Sequence, residues 1–92
     1  MTIDTYFIEF NNNIIYIGSS CNLRKRINRH YHNYKKCQFP LYRFMRSKTN
    51  NPKRDFKFFI IETNHTLEEA KHSERYYIKI YNPICNKQCP KI

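Results

Sequence analysis

The chain's single glycine, Gly18, closes an apolar run, Ile14-Ile15-Tyr16-Ile17, just where a polar stretch with helical spacing begins. A lone glycine at a strand-to-helix junction marks a point where a side chain will not fit. Beyond it, Leu23, Ile27, Tyr31 and Tyr34 fall at i, i+4, i+8 and i+11, the apolar stripe of a helix running to about Tyr34, with Ser19 or Ser20 as its expected cap. Arg26 and His30 lie four residues apart beside that stripe. Before the glycine, Tyr6 to Phe10 and Ile14 to Gly18 flank Asn11-Asn12-Asn13, asparagine being the residue after glycine that best tolerates positive φ, which predicts a β-hairpin with a three-residue loop. If Phe10 faces Ile14, Ile8 faces Tyr16 and Tyr6 faces Gly18. Both tyrosines then emerge on one face as diagonal neighbours about 7 Å apart at Cα, with open space beside Tyr6.

Farther along, Pro40 suits the first position of a second helix, in which Leu41, Phe44 and Met45 form the apolar face and Arg43, Arg46 and Lys48 the other. Asn50-Asn51-Pro52 is read as the end of that helix. Phe56 to Ile61 is a third strand, so apolar that it is expected to be covered on both faces. Thr66-Leu67-Glu68-Glu69 is a capping box that opens a last helix reaching about Tyr81, ahead of Asn82-Pro83. Its stripe of Leu67, Ala70, Tyr77, Ile78 and Tyr81 is completed at i+7 by Glu74. A carboxylate on a buried face needs a partner or a cation, and a hydroxyl or an arginine would serve as well as a metal. After Pro83 the chain reads as short and irregular, with Asn86 just past a helix end. The fold expected is α+β: a small three-stranded antiparallel sheet flanked by helices in the order β-β-α-α-β-α, one domain over residues 1–92.

Seventeen Lys and Arg against seven Asp and Glu give a formal charge of +10, spread from Arg24 to Lys91 and not confined to a tail. That balance points to a polyanion, and the lack of a basic helix with a broad apolar face favours nucleic acid over membrane. The start, Met1-Thr2-Ile3-Asp4, carries no signal-peptide pattern, and no run reaches membrane-spanning length, so an intracellular setting is expected. Plentiful Asn, Ile, Lys and Tyr beside scarce Gly and Ala fit an A·T-rich genome, viral or mobile, which would place the protein in the cytoplasm or nucleus of a host cell. In a reducing compartment Cys21, Cys37, Cys85 and Cys89 are read as buried, inert thiols. Zinc held by Cys85 and Cys89 with the other two is the alternative, although the tight paired spacing of a zinc ribbon is absent.

Taken in order, these features resemble the GIY-YIG nuclease domain over about residues 4 to 88. Tyr16-Ile17-Gly18 matches the second half of the family's name, and Ser19-Ser20 with Asn22-Leu23 resemble what usually follows it. The first half is degenerate: Asp4-Thr5-Tyr6 keeps only its tyrosine. Arg26, His30, Glu74 and Asn86 match the family's arginine, histidine, glutamate and asparagine. The resemblance implies hydrolysis of phosphodiester bonds in DNA with one divalent ion, Mg²⁺ or Mn²⁺, bound by Glu74, waters and phosphate oxygens. It also implies that Tyr6 or Tyr16 acts as or positions the base, that Arg26 clamps the phosphate, and that His30 relays a proton or holds the phosphate. Asn86 would be an anchor. Gly18, Arg24, Lys25, Arg29, Arg43 and Arg46 are the candidate DNA contacts. A homodimer or a protein partner would supply the specificity that so small a domain lacks. A catalytically weak or inactive nucleic-acid-binding module of the same fold is the competing expectation.

Overall fold

The computed structural model describes residues 2–87. Two strands open it, β1 (Ile3–Phe10) and β2 (Asn13–Ser20). They are joined by a two-residue turn, with Asn11 and Asn12 both at positive φ, 53° and 67°. Those angles belong to the primed turn whose twist matches a hairpin. The three-residue loop expected from the sequence is therefore one residue too long, and Phe10 pairs with Asn13 instead of Ile14. Continued without interruption, that register would place Tyr16 on the face opposite Tyr6. A β-bulge restores it: Glu9 pairs with Ile14, Ile8 with Tyr16, and Tyr6 with Gly18, leaving Ile15 as the extra residue. Ile15 does not waste its position, because its side chain is buried in the core with Leu41, Met45 and Cys85.

Helix α1 (Leu23–Tyr34) starts later than expected, because β2 continues through Ser20 and the cap is Asn22, whose side chain accepts from the Lys25 N–H. Helix α2 (Pro40–Lys48) begins on Pro40 as predicted. Pro52 does not simply end it. It opens α3 (Pro52–Asp55), one turn capped by Asn51, since proline fits a first helical position as well as it ends a preceding helix.

The third strand, β3 (Phe56–Asn64), is three residues longer than its apolar run and pairs with β1 alone, in the order β2-β1-β3. It is an edge strand, and the expected cover on both faces is wrong: Phe59 is 41% exposed and Ile60 53%. An unbroken apolar run marks a buried strand in parallel sheets, but here the central position went to β1.

Helix α4 (Leu67–Tyr81) and the single turn α5 (Ile84–Lys87) are the last elements among the described residues; the tail read as irregular is helical as far as it is described. Thr66 caps α4 by accepting from the Glu69 N–H, while the Glu69 carboxylate reaches back one residue farther than a strict capping box, to the His65 N–H.

Alternation along the strands assigns the two faces. Tyr6 and Ile8 of β1, with Ile15 of the bulge and Phe56 of β3, meet Leu41, Tyr42, Met45 and Cys85 in the main core under α1, α2 and α5. On the other face Thr5 of β1 hydrogen-bonds Ser73 of α4, and Phe7 meets Tyr81 at a ring separation of 6.5 Å. The buried side of α4 differs from the stripe read in the sequence. Ala70 and Ser73 are its buried residues, whereas Leu67 and Tyr81 are 60% and 46% exposed. No helix among the described residues is long and apolar enough to cross a membrane.

Candidate active site

Four of the expected residues converge on the α1 side of the hairpin. His30 is the one fully buried residue of α1, more enclosed than the apolar stripe beside it. Its Nε2 lies 2.8 Å from the Tyr6 hydroxyl. Arg26, one turn earlier and partly buried, brings its cation near that same hydroxyl. The Tyr16 ring stands 6.4 Å from Tyr6 and edge-on to His30 at 6.0 Å, while Phe58 of β3 stacks on the imidazole at 5.7 Å.

Gly18 explains why this cluster closes. A Cβ there would lie 2.8 Å from the Tyr6 hydroxyl oxygen and 3.0 Å from the Tyr16 ring, so the space expected beside Tyr6 is filled by the two phenols themselves. Its φ is not positive, so the glycine serves close approach and not backbone conformation. Gly18→Ala should push Tyr6 away from His30 and destabilise the fold by about 1–3 kcal/mol, as overpacking does. In a domain of this size that is a fall in Tm of very roughly 4–20 °C by thermal unfolding. A melting curve unchanged by the substitution would mean the rings can move aside freely.

Burial sets the protonation states. It raises the Tyr6 phenol well above its ordinary value, Tyr16 adds to the rise, and the Arg26 cation offsets only part of it. Burial, with Arg26 and then Arg29, lowers His30 to about 4. At neutral pH the pair is therefore a neutral phenol and a neutral imidazole.

Glu74 is placed differently. It is partly buried on α4 and accepts from the Ser19 hydroxyl at 2.7 Å. Ser19 follows Gly18 directly, so its side chain points to the opposite face of β2 from Tyr16. The acid thus stands on the opposite face of the edge strand from the phenols. The partner that its buried position calls for is a serine hydroxyl. Among the described residues no group of three or more His, Cys, Asp or Glu gathers that could hold a metal ion.

Asn86 of α5 grips β2 from outside the sheet. Its side-chain amide accepts from the Ile17 N–H at 2.8 Å and donates to the Ile17 carbonyl at 2.9 Å, holding the link between Tyr16 and Gly18 as a neighbouring strand would.

Of the basic residues, Arg24, Lys25, Arg29 and Arg43 are exposed on α1 and α2. Arg46 is partly buried and donates to the carbonyls of Tyr34 and Cys37, so it closes the end of α1. Another depression, between β3 and α4, is lined by Glu62, Glu68, Glu69 and His72 among others; its carboxylates would repel a phosphodiester.

Cys85 is buried, its thiol pushed up to about 12 by burial, but Cys21 is exposed and Cys37 partly so. Cys89 lies outside the described residues. Sequence reasoning passed over Tyr42, whose hydroxyl sits 2.8 Å from His30 Nδ1. It neighbours Leu41 and Met45 on the buried side of α2, and that placement was the available signal.

A profile of the GIY-YIG catalytic domain matches residues 4–88. No curated protein and no solved structure matches the chain at a significant level.

Proposed function

This chain belongs to the GIY-YIG catalytic-domain family, a family of nucleases, and from that premise we propose that it is a divalent-cation-dependent endonuclease that hydrolyses phosphodiester bonds in DNA. The observation that carries the reading is the Tyr6 hydroxyl, 2.8 Å from His30 Nε2 and in the field of the Arg26 cation. A phosphate clamped by the Arg26 fork arrives beside that hydroxyl. In the free chain Tyr6 is fully enclosed, so a side chain around it must move for water to reach the phenol.

A phenol held above its ordinary pKa is not a base by itself, but it can take a proton from water while passing its own to a neutral imidazole. Tyr6 and His30 are placed for that exchange, Arg26 for the charge that builds on the phosphoryl oxygens. Glu74 would hold the cation. A single carboxylate on a hard oxygen site suits Mg²⁺, which keeps most of its waters and takes phosphate oxygens besides. When bound, such an ion supplies electrophilic stabilisation of the phosphate and of the leaving oxygen. Asn86 fixes the strand that carries Tyr16 and Gly18. The exposed Arg24, Lys25, Arg29 and Arg43 would track the backbone and make binding fall steeply with salt.

A second reading, a DNA-binding module without turnover, is favoured by the complete burial of Tyr6. One experiment separates the two: incubation with supercoiled, branched and single-stranded DNA, with Mg²⁺, Mn²⁺ or EDTA. The endonuclease reading expects nicked product only with the cation, since one site cuts one strand. Salt-sensitive binding with no product from any of the three DNAs would replace it by the module.

A further inference from the structure

The proton exchange proposed above uses one nitrogen of His30, and the structure holds the other as well. Tyr42 of α2 is almost fully buried, its hydroxyl lies 2.8 Å from His30 Nδ1, and Asn33 Nδ2 donates to that hydroxyl at 3.4 Å. A neutral imidazole carries one N–H, so one of its two contacts must run outward and the other inward.

Burial decides the direction. Tyr6 is fully enclosed and Nε2 is the acceptor at its hydroxyl, so its O–H turns to the imidazole, whereas Tyr42 keeps 6% exposure and its oxygen already accepts from Asn33. The chain of bonds then runs from Tyr6 to Nε2 and from Nδ1–H to Tyr42. The charged and titratable groups that face His30 are Arg26 and Arg29 from its own helix, Tyr6 and Tyr16 from the hairpin, and Tyr42 from α2, beside the uncharged Phe58 of β3. No carboxylate is among them in the described residues, so a hydroxyl alone receives the Nδ1 proton.

We infer that Tyr42 is a positioning residue for DNA cleavage, holding His30 in the tautomer whose Nε2 lone pair faces the Tyr6 hydroxyl. The inference rests on the nuclease reading. In the step it serves, the water oxygen bonds to phosphorus as the bond to the leaving oxygen breaks. The water proton goes to the Tyr6 oxygen, the Tyr6 proton goes to Nε2, and the leaving oxygen takes a proton from solvent. The imidazolium keeps its Nδ1–H on Tyr42 and afterwards gives up the added proton through Tyr6. Without Tyr42 the ring is free to carry its proton on Nε2, where it points at Tyr6 and blocks the transfer.

The test combines ¹⁵N NMR of the His30 ring near pH 7, assigned against a His30→Gln spectrum, with the kinetics of Tyr42→Phe. In the unmodified chain Nδ1 should appear protonated and Nε2 unprotonated. In Tyr42→Phe, Nε2–H should gain population, and kcat should fall about 10- to 100-fold with KM within twofold. A ring protonated on Nε2 in the unmodified chain would overturn the inference, as would a Tyr42→Phe enzyme that cuts at the unmodified rate. If Tyr42→Phe does not fold, the spectrum of the unmodified chain still decides. If no DNA is cut by any form, the nuclease reading fails by itself, while the tautomer is still read from the spectra.

Discussion

Replacing Tyr6 by phenylalanine removes one oxygen and should lower the single-turnover rate of DNA cleavage by roughly 10²–10⁴-fold, the range a positioned proton-transfer group supplies. The ring itself stays, so the packing against Tyr16 and Phe58, at 6.4 and 6.3 Å, is kept. What is lost is the oxygen that stands 2.8 Å from His30 Nε2, near the Arg26 cation. Leaving a buried imidazole nitrogen without its partner costs about 1–3 kcal/mol, so the variant should melt earlier yet remain folded at 25 °C. Affinity for DNA should barely change, because the basic surface on α1 and α2 is untouched. Tyr16→Phe makes the comparison, since no part of the proton exchange assigned here passes through it; its loss should be the smaller. A Tyr6→Phe enzyme that cuts within threefold of the unmodified rate would remove the tyrosine from the chemistry.

Tyr6 and Tyr16 also show how far the sequence alone could be read. Their shared face was predicted, with Ile8 opposite Tyr16 and Tyr6 opposite Gly18, and both pairs are found. The reason differs, because the turn is one residue shorter and a bulge at Ile15 corrects the register. Alternation along a strand is legible from letters, but a bulge is a compromise between turn geometry and core packing and leaves no mark of its own. The order of elements was legible for the same kind of reason: Pro40, Thr66 and the asparagines announce starts and turns locally.

Less legible was whatever depended on which strand became central. The apolar run of β3 looked doubly covered, and only the order β2-β1-β3 reveals it as an edge. His30 reads in the sequence as lying beside the stripe of α1, yet it is more buried than any residue of that stripe. Glu74 reads in the sequence as an acid in the middle of a buried face, whereas it is only partly buried beside Ser73, and periodicity cannot say which side of the sheet that helix covers. Tyr42 escaped because a tyrosine next to a leucine in a short helix reads as core until its hydroxyl is seen against an imidazole.

The position of Glu74 makes the last expectation the sharpest. Glu74→Gln keeps a carbonyl oxygen that can accept from the Ser19 hydroxyl, now at 2.7 Å from the carboxylate, so the attachment of α4 to β2 should survive and the melting temperature should move little. The negative charge goes, and with it the hard anionic ligand assigned to the cation. Electrophilic stabilisation of a phosphoryl transition state by a bound cation supplies several kcal/mol, and about 4 kcal/mol corresponds to roughly a thousandfold in rate. Cation-dependent cleavage should therefore drop by about that factor or more at saturating Mg²⁺. DNA affinity should hold or rise slightly, because one repulsive charge has left the neighbourhood of the phosphates. Raising Mn²⁺ should not restore the rate, since an amide oxygen replaces the carboxylate with a weaker ligand and no charge. Ser19→Ala separates attachment from chemistry: it leaves the carboxylate in place without its hydroxyl partner, and should reduce stability and cation affinity while retaining measurable cutting at high Mg²⁺. A Glu74→Gln protein that cuts as fast as the original would show that an acid across the strand from Tyr6 and Arg26 holds no catalytic ion.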